Sequence, residues 1–494
     1  MALLPNRTMR AAAAAGIAIA IAGSIAGCAG YSDSPEMRPD HWAPPAVSNE
    51  WAPPPAMRIG GQSAAAHAIA PAPASGPRSL AELIDIALTE NPDTHAAWEA
   101  ARVAAADYGK AQAPFYPTLG MNSENGYVRD VAQVPVHWGV LKRWQSRSIV
   151  GLNYTLLDFG RRDAEAEAAR DQLIVANYGF NRKIQEVVFD TERAFYSLDA
   201  AQASVLAAEA IVAYATTDRI AAQERRQVGL ATEPQLLLAV QREAQATYDL
   251  ENARTMVSDA QADLAVALGV GANDLPEVES LDNIPVPATL GGQVDDLIAT
   301  AIASRPDLSA RIAAVKARRA DIDLARAQFY PTVDFTTYYG DEGFNYTISH
   351  DHTAFTANAP LYGGVMTLKW DLFTGFSRLN EVRSTEAAER ESAAEVDSLQ
   401  LDVVASVWRT YFDFQSARKK YGYAQALLAA SESAYKSNYQ TYRMGLSTII
   451  DLLTAERDLA NARYTIIQSK ADLLITAAAV AFATGAVPNQ ARPH

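Results

Sequence analysis

Residues able to do covalent or metal chemistry are few in this sequence. The chain has one cysteine, Cys28, and seven histidines among 494 residues. One cysteine cannot form an intramolecular disulfide, so its thiol is available for another reaction. His350 and His352 flank Asp351, but two histidines without a third ligand are a weak metal signal, and we expect a polar surface loop there. No catalytic constellation and no glycine-rich phosphate loop stands out, so we predict a non-enzymatic protein without a metal or cofactor.

The sequence before Cys28 indicates what its thiol does. A basic start and an apolar run over residues 11–25 are typical of an export signal. The run ends in Ile25-Ala26-Gly27-Cys28, which resembles the lipobox of bacterial lipoproteins. We predict that residues 1–27 are a cleaved signal peptide and that Cys28 then carries N-acyl (palmitate-type) and S-diacylglycerol chains. The alternatives are an ordinary signal peptide with an incidental cysteine and a plain transmembrane anchor.

The residues after Cys28 predict its membrane and a tether. In bacterial lipoproteins, which this segment resembles, the usual signal for retention in the inner membrane is an Asp directly after the cysteine. Ala29 stands at that position here, so it favours the outer membrane. Several acyl chains hold a protein firmly because each buried methylene contributes about 0.8 kcal/mol. The rest of residues 28–78 is rich in Pro, Ala and Ser. Such a composition does not bury a core, so we predict a tether between the lipid and the folded body.

Composition excludes two broad classes of protein. A mean hydropathy of -0.09 with 20% charged residues excludes a polytopic helical membrane protein. The formal net charge is -15, from 42 Lys+Arg and 57 Asp+Glu. A nucleic-acid binder needs basic patches that neutralise phosphates, so we expect no nucleic-acid partner.

Several short motifs of the first half of the chain recur in the same order in the second half. The pairs are Asn91-Pro92-Asp93 with Arg305-Pro306-Asp307, Phe115-Tyr116-Pro117-Thr118 with Phe329-Tyr330-Pro331-Thr332, Gly229-Leu230 with Gly445-Leu446, and Gly269 with Gly485. Because order and spacing are kept, we predict an internal two-fold repeat. Its halves are residues 79–269 and 293–485, with a linker over 270–292 and a C-terminal tail over 486–494.

Each half predicts one helix followed by two β-like stretches. The first helix, about 35 residues long, covers Leu80–Ala113 and Val294–Gln328, with Ser79 as the first N-cap. Alternation of apolar and polar residues predicts strands of about 10 residues at Ile149–Asp158 and Val365–Phe373. Partner strands follow Pro117 and Pro331, and we expect polar loops of about 20 or more residues between partners.

Each half then predicts a very long helix and a shorter returning one. The long helices run from Arg161 to about Val228 and from Ser377 to about Met444, which is about 100 Å each. The returning helices cover Glu233–Leu268 and Ser447–Ala483. The last has a coiled-coil seam with a 3.5-residue period beside a second stripe, and the two together form a wide face rich in alanine. This pattern predicts helices with more than one neighbour, and a simple antiparallel hairpin is the alternative. The seam residues are Leu452, Ala455, Leu459, Ala462, Ile466, Ser469, Leu473, Thr476 and Val480.

Four strands in one chain cannot close a membrane barrel. An open sheet edge in lipid leaves backbone groups without hydrogen bonds, and outer-membrane barrels have eight or more strands. Two or more chains must therefore contribute. Together, the lipid, the strands and the long helices predict a conduit from the outer membrane into the periplasm.

At this point the sequence resembles the TolC-type outer-membrane efflux proteins, specifically their lipoprotein branch, over residues 79–485. The resemblance rests on the duplicated Pro-Asp and Phe-Tyr-Pro-Thr motifs and on Tyr442-x-x-Gly445 followed by Asp451-Leu452-Leu453. It implies a mainly α fold in which a homotrimer forms an α-barrel of long helices and a 12-stranded transmembrane β-barrel. It also implies a passive duct that works with a periplasmic adaptor and an inner-membrane pump, which supplies the energy.

The resemblance implies roles for particular residues. Gly229 and Gly445 would form the turns at the hairpin tips, and Tyr154 and Trp370 would face lipid. Asp451 matches a carboxylate that rings the closed pore and favours cations. Tyr442 matches a tip tyrosine that is tied to an acid, but Gln235 stands at the position of that acid. Thr454 replaces a second acid of the ring.

Two other functions remain open on the sequence alone. One is the outer component of type I protein secretion, against which the lipobox favours small-molecule export. The other is a structural coiled-coil lipoprotein, which would need the helices but not four alternating strands. The sequence names neither the exported substrate nor the pump.

Overall fold

The computed structural model describes residues 42–52, 77–134, 137–279, 292–348 and 354–486. Cys28, the predicted signal peptide and the His350-Asp351-His352 segment lie outside these residues. The chain divides into two compact units. The first, here the sheet unit, takes the described residues 42, 102–173 and 312–394. The second, here the helical unit, takes the described parts of 43–101, 174–311 and 395–494.

The described part of the chain is mainly helical, with one four-stranded sheet. The helices are α1 (Leu80–Glu90), α2 (Pro92–Gln112), α3 (Arg161–Gln227), α4 (Glu233–Leu268), α5 (Val294–Ser304), α6 (Pro306–Ala327), α7 (Ser377–Arg443) and α8 (Ile449–Thr484). The strands are β1 (Thr118–Val134), β2 (His137–Leu157), β3 (Thr332–Ile348) and β4 (Ala354–Lys369). The second half has the same order of elements as the first, and α3 and α7 each have 67 residues.

The sheet is an antiparallel meander in the order β1-β2-β3-β4. Its strands have 16 to 21 residues, so the predicted length of about 10 was wrong. The residues expected to form long loops continue the strands instead, because each pairs with the neighbouring strand up to Val134↔His137 and Thr347↔Ala354. Among the described residues, β1 pairs only with β2 and β4 only with β3, so each has one open edge.

Register places the apolar side chains of the strands on one sheet face. In an antiparallel pair, directly opposed residues share a face. Leu119 faces Leu152, Met121 faces Val150, and Tyr154 faces Phe335 on that face. The alternating residues point the other way and are mostly polar or small, such as Asn122, Gly151 and Asn153, although Ile149 is among them. The predicted alternation of β2 is therefore confirmed for Val150, Leu152 and Tyr154, but an irregularity between Thr155 and Leu157 places Leu157, and not Leu156, opposite Val333. In β4 it holds only as far as Lys369, where the strand ends.

The predicted first helix of each half is two helices, which corrects the sequence interpretation. Asn91 and Arg305 are extended, with φ of -67° and ψ near 125°. The residue before a proline is pushed out of the helical region, and the proline then starts the next helix. Ser79 caps α1 as predicted, in a capping box with Glu82. The long and the returning helices are confirmed to within two residues at each end.

The break residues also hold the ends of the returning helices, and we name this paired contact the clamp. The Asn91 side-chain amide donates to the Ala267 carbonyl of α4 at 2.8 Å. Arg305 Nη1 donates to the Ala483 carbonyl of α8 at 3.1 Å. Gly269 and Gly485 follow these helix ends at φ of 73° and 72°, a left-handed conformation that glycine adopts without strain. The clamp gives a physical reason for the repeated Pro-Asp motif and its repeated glycine.

One part of the predicted tether is packed. In residues 42–52, Trp51 is buried, and its ring meets the Tyr178 ring edge-on at a centroid distance of 5.4 Å. Asn181 makes two 2.8 Å hydrogen bonds with the Trp51 backbone, one to its N–H and one to its carbonyl. Trp98 Nε1 donates to the Pro44 carbonyl at 2.9 Å. The expectation of an unpacked tether was wrong for this segment, because its tryptophans bring large apolar surfaces into an otherwise proline-rich sequence.

Candidate functional site

Both glycines predicted for the hairpin tips lie in tight turns between a long helix and a returning helix. Gly229 lies between α3 and α4 with φ of 77°, and Gly445 lies between α7 and α8 with φ of 80°. The N–H of Leu230 donates to the Arg225 carbonyl at 2.7 Å, and that of Leu446 donates to the Thr441 carbonyl at 2.9 Å. These are bonds of the kind that close a helix at a left-handed glycine. We name residues 214–243 and 435–463 together the tip region, and all of them belong to the helical unit.

Asp451 lies in the first turn of α8 and is exposed. Its Oδ2 accepts from Thr448 Oγ1 at 2.7 Å and from the Thr448 N–H at 3.0 Å. These hydrogen bonds lower the pKa of the Asp451 carboxyl, so it is ionised at neutral pH. Asp451, Thr454 and Asp458 line one open cleft of about 410 Å³. Asp458 was missed by the sequence reasoning, and it supplies a second acid on this surface where Thr454 does not.

Tyr442 and Gln235 do not hydrogen bond to each other within one chain. The Gln235 side-chain oxygen accepts from the Thr232 N–H at 2.8 Å, at the start of α4. Tyr442 is only 3% exposed, and its hydroxyl has no hydrogen-bond partner in the described part of the chain. Burial raises the pKa of that hydroxyl, which therefore stays protonated.

Arg225 of α3 holds Tyr442 instead. Its Nη1 donates to the Tyr442 carbonyl at 2.6 Å, and its guanidinium lies 4.7 Å from the centre of the Tyr442 ring. A cation over an aromatic face is attracted by the ring quadrupole. This contact joins the first hairpin, α3 and α4, to the second hairpin, α7 and α8. The sequence reasoning had not singled out Arg225.

A buried polar cluster lies among all four helices of the tip region. Asp218 of α3 and Glu456 of α8 are 0% and 1% exposed. The Tyr435 hydroxyl of α7 donates to Asp218 Oδ1 at 3.5 Å, and Arg242 Nε of α4 donates to Glu456 Oε1 at 3.2 Å. Burial, and then the Glu456 charge, raise the pKa of Asp218 to about 7. Burial also raises the pKa of Glu456, although Arg242 opposes the shift.

A pattern in the sequence could have revealed this cluster. Asp218 occupies a seam position of α3, where its neighbours at intervals of 3 or 4 residues are buried and apolar. Glu456 occupies the same kind of position in α8, between Leu452 and Leu459. A carboxylate on an apolar seam is rarely buried without a partner, so its position alone predicts a buried polar contact. The buried apolar seam neighbours of Asp218 are Ile211, Ala215 and Ala222.

The two residues expected to face lipid lie in the sheet unit. Tyr154 is half-buried and lies on the apolar face of β2. Trp370 follows the end of β4, is exposed, and donates its indole N–H to the Phe329 carbonyl at 3.1 Å. Its position therefore depends on the loop after the strand and not on strand alternation.

Long antiparallel strands with one apolar face, together with two long helical hairpins, define a class of outer-membrane channel folds. The family model described as "Outer membrane efflux protein" matches residues 83–270 and again 297–486. The chain therefore belongs to the outer membrane efflux protein family, and its place is the outer membrane.

Three similar proteins illustrate this membership. Protein CyaE of Bordetella pertussis is 27% identical over 97% of this chain and 95% of its own length. Multidrug resistance outer membrane protein MdtP of Escherichia coli is 30% identical over 31% of this chain and 29% of its own length. The structure of outer membrane protein VceC from Vibrio cholerae has a TM-score of 0.68 and 20% identity, covering 82% of this chain and 96% of VceC.

Proposed function

We propose that the protein works as a homotrimeric, passive efflux duct. Three chains would close a 12-stranded β-barrel in the outer membrane and a ring of long helices in the periplasm. A periplasmic adaptor and an inner-membrane pump would deliver small molecules and supply the energy. The multidrug resistance named for MdtP supports small-molecule cargo over exported protein.

The open edges of the sheet carry this proposal. Within the described ranges, β1, with 17 residues, and β4, with 16, each have one edge without a pairing strand. In lipid, such edges must pair, because no water is present to bond their N–H and carbonyl groups. Pairing of β1 with β4 of a further copy satisfies both edges and puts the apolar face towards lipid and the polar face towards the lumen.

The helices also carry apolar surface that one chain leaves uncovered. Among these side chains, Leu206 of α3, Val266 of α4 and Leu401 of α7 are 68%, 76% and 72% exposed. Two described helices, α3 and α8, each contain a stretch that is long and apolar enough to cross a membrane by length and composition. In this proposal, the apolar surface of the helices packs against helices of further copies, and the strands are the segments that cross the membrane.

The proposal assigns two further roles. Acyl chains on Cys28 would anchor the chain to the periplasmic leaflet of the outer membrane, and residues 42–52 would then tie that anchored segment to the helical unit. Three copies of Asp451 would gather at the pore entrance as an acidic ring, since each is exposed and ionised. Tyr442 and Gln235 would act in closure through contacts between copies.

Single-channel conductance in planar bilayers tests the duct. We expect the purified full-length protein to conduct and Asp451→Ala to lower its cation-to-anion permeability ratio by a factor of about two or more. Glu224→Gln is the matched control, because Glu224 is an exposed acid of the other hairpin tip. The control should keep the wild-type ratio. No conductance from the wild type and from Asp451→Ala alike would sink the proposal.

A further inference from the structure

Two carboxylates are buried against each other in the tip region, and we name Asp218 and Glu456 the acid pair. One oxygen of each accepts a hydrogen bond: Tyr435 donates to Asp218 Oδ1, and Arg242 donates to Glu456 Oε1. The other oxygens, Asp218 Oδ2 and Glu456 Oε2, are buried and have no hydrogen-bond partner among the described residues. Buried polar atoms without partners are costly, so this arrangement needs an explanation.

A single shared proton can resolve the conflict between the two buried carboxyls. Asp218 and Glu456 are close enough to hydrogen bond to each other once one of them is protonated. Two ionised carboxylates offer no donor and repel each other, whereas a carboxyl and a carboxylate form a strong charge-assisted bond. Glu456 keeps its charge more easily because Arg242 is beside it, so the proton belongs on Asp218.

The charges around the acid pair balance with one proton. Arg242 is the basic group bonded to it, so two ionised acids would leave one buried negative charge unmatched. The other charged groups nearby are paired among themselves: Arg219 with Glu243 at 2.7 Å, and Arg463 with Glu432 at 3.9 Å. Among the described residues, tyrosines and the Arg225 that holds Tyr442 also interact with the cluster. These tyrosines are Tyr214 of α3 and Tyr435, Tyr439 and Tyr442 of α7.

We propose that the acid pair is a proton-binding site that fastens the two hairpins of one chain to each other, and that loss of the proton loosens them. The bound proton makes a direct bond between α3 and α8. When it leaves, two like charges face each other inside the tip region, and the contact between the hairpins becomes repulsive.

The direction of the pH effect follows from linkage. The folded tip region binds the Asp218 proton more tightly than an unfolded chain does, because burial and the Glu456 charge raise the pKa to about 7. Stability from this proton is therefore present in acid and is lost as the pH rises through about 7. Alkaline conditions should loosen the tip region, and mildly acidic conditions should hold it closed.

Infrared spectroscopy of the purified full-length protein in D₂O tests the proton directly. We expect a protonated carboxyl band at about pH 5.5 that disappears with a midpoint near 7 and is missing from Asp218→Asn. Glu192→Gln is the matched control, because Glu192 is another buried acid whose pKa burial raises to about 7, and it lies outside the tip region. Glu192→Gln should lose only the carboxyl band of Glu192 and should keep the band of Asp218. A wild-type spectrum that Asp218→Asn leaves unchanged overturns the proposal.

A second variant keeps the test decisive if Asp218→Asn does not fold. Glu456→Gln removes the like charge and leaves Arg242 without its carboxylate, so the Asp218 band should titrate at a lower pH. A midpoint that stays near 7 in Glu456→Gln contradicts a shared proton.

Conductance then tests the consequence for gating, which rests on the proposed duct. We expect wild-type and Glu192→Gln channels to open more often as the pH rises through about 7. Asp218→Asn cannot release the proton and should open equally at all pH values. Persistence of the pH dependence in Asp218→Asn contradicts the gating role. If no variant conducts, the duct itself fails, and the infrared band still decides whether the proton is bound.

Discussion

The clamp and the tip region both join helices of the helical unit, but they differ in how completely their buried polar atoms are hydrogen bonded. In the clamp, Asn91 and Arg305 meet carbonyl groups at the ends of α4 and α8, and a left-handed glycine follows each helix. In the tip region, Asp218 Oδ2, Glu456 Oε2 and the Tyr442 hydroxyl are buried and have no hydrogen-bond partner in the part of the chain that the structure describes. We infer that the clamp holds one fixed arrangement, whereas the tip region has buried polar atoms that are free to take new hydrogen-bond partners.

The largest effect is expected from filling the space at a clamp glycine. In Gly269→Ala the new Cβ would lie 2.5 Å from Asn91 Cα and 2.9 Å from the Glu90 carbonyl oxygen. Together with the left-handed backbone, this should cost about 4 kcal/mol of unfolding free energy. Chemical denaturation followed by helical circular dichroism measures it.

Gly229→Ala is the control for this prediction. Gly229 has nearly the same positive φ, but open space surrounds the position of the added Cβ. Only backbone strain remains, so we expect a loss of about 1 kcal/mol. Equal losses in the two variants would show that packing in the clamp is loose and would remove the contrast with the tip.

The second-largest loss of unfolding free energy is expected at Arg305, and the corresponding residue Asn91 in the other half of the clamp should give a smaller loss. Arg305→Ala removes a buried cation that bonds both Ala483 and Asp307, and we expect a loss of about 3 kcal/mol. Asn91→Ala removes a neutral hydrogen bond and should cost about 1 kcal/mol. Equilibrium unfolding of both variants at neutral pH measures the difference.

The stabilities of these two variants should also depend differently on acid pH. Burial alone would raise the pKa of Asp307, but bonds to Arg305 and the charges of Arg305 and Arg182 hold it below its usual range. The stability from Asp307 is therefore present above about pH 4 and is lost as the pH falls below it. Arg305→Ala should lose most of this acid dependence, while Asn91→Ala should keep it. Retention of the full dependence in Arg305→Ala would contradict the ionic account.

The smallest effect is expected at the Tyr442 hydroxyl. Because that hydroxyl is buried and no described residue bonds to it, Tyr442→Phe should change the unfolding free energy by less than about 1 kcal/mol, or raise it. Tyr435→Phe is the matched control, since its hydroxyl donates to Asp218, and its removal should cost about 1 kcal/mol. A large loss in Tyr442→Phe would mean that its hydroxyl has a partner in the assembled protein, such as Gln235 of another copy.

Periodicity was sufficient to predict the long helices but not the length of the strands or the break in the first helix. The boundaries of α3, α4 and α7 follow from local signals such as Gly229, Pro234 and Gly445. The strands continue past the predicted ends because polar segments gain hydrogen bonds from the adjacent strand, which local alternation does not report. The first helix breaks at Asn91 because a proline pushes the residue before it out of the helical conformation, and the repeated Pro-Asp motif carries this signal in the sequence.

The sequence by itself determined the types of element, their order, the apolar face of the sheet and the family to which the chain belongs. Each of these depends on residues that are near neighbours in the chain or on short motifs. Only the tertiary structure decided that Asn91 and Arg305 hold the returning helices, that Trp51 packs on Tyr178, and that Asp218 meets Glu456. These contacts join residues far apart in the chain, and the burial that changes their chemistry exists only when four helices exclude water together.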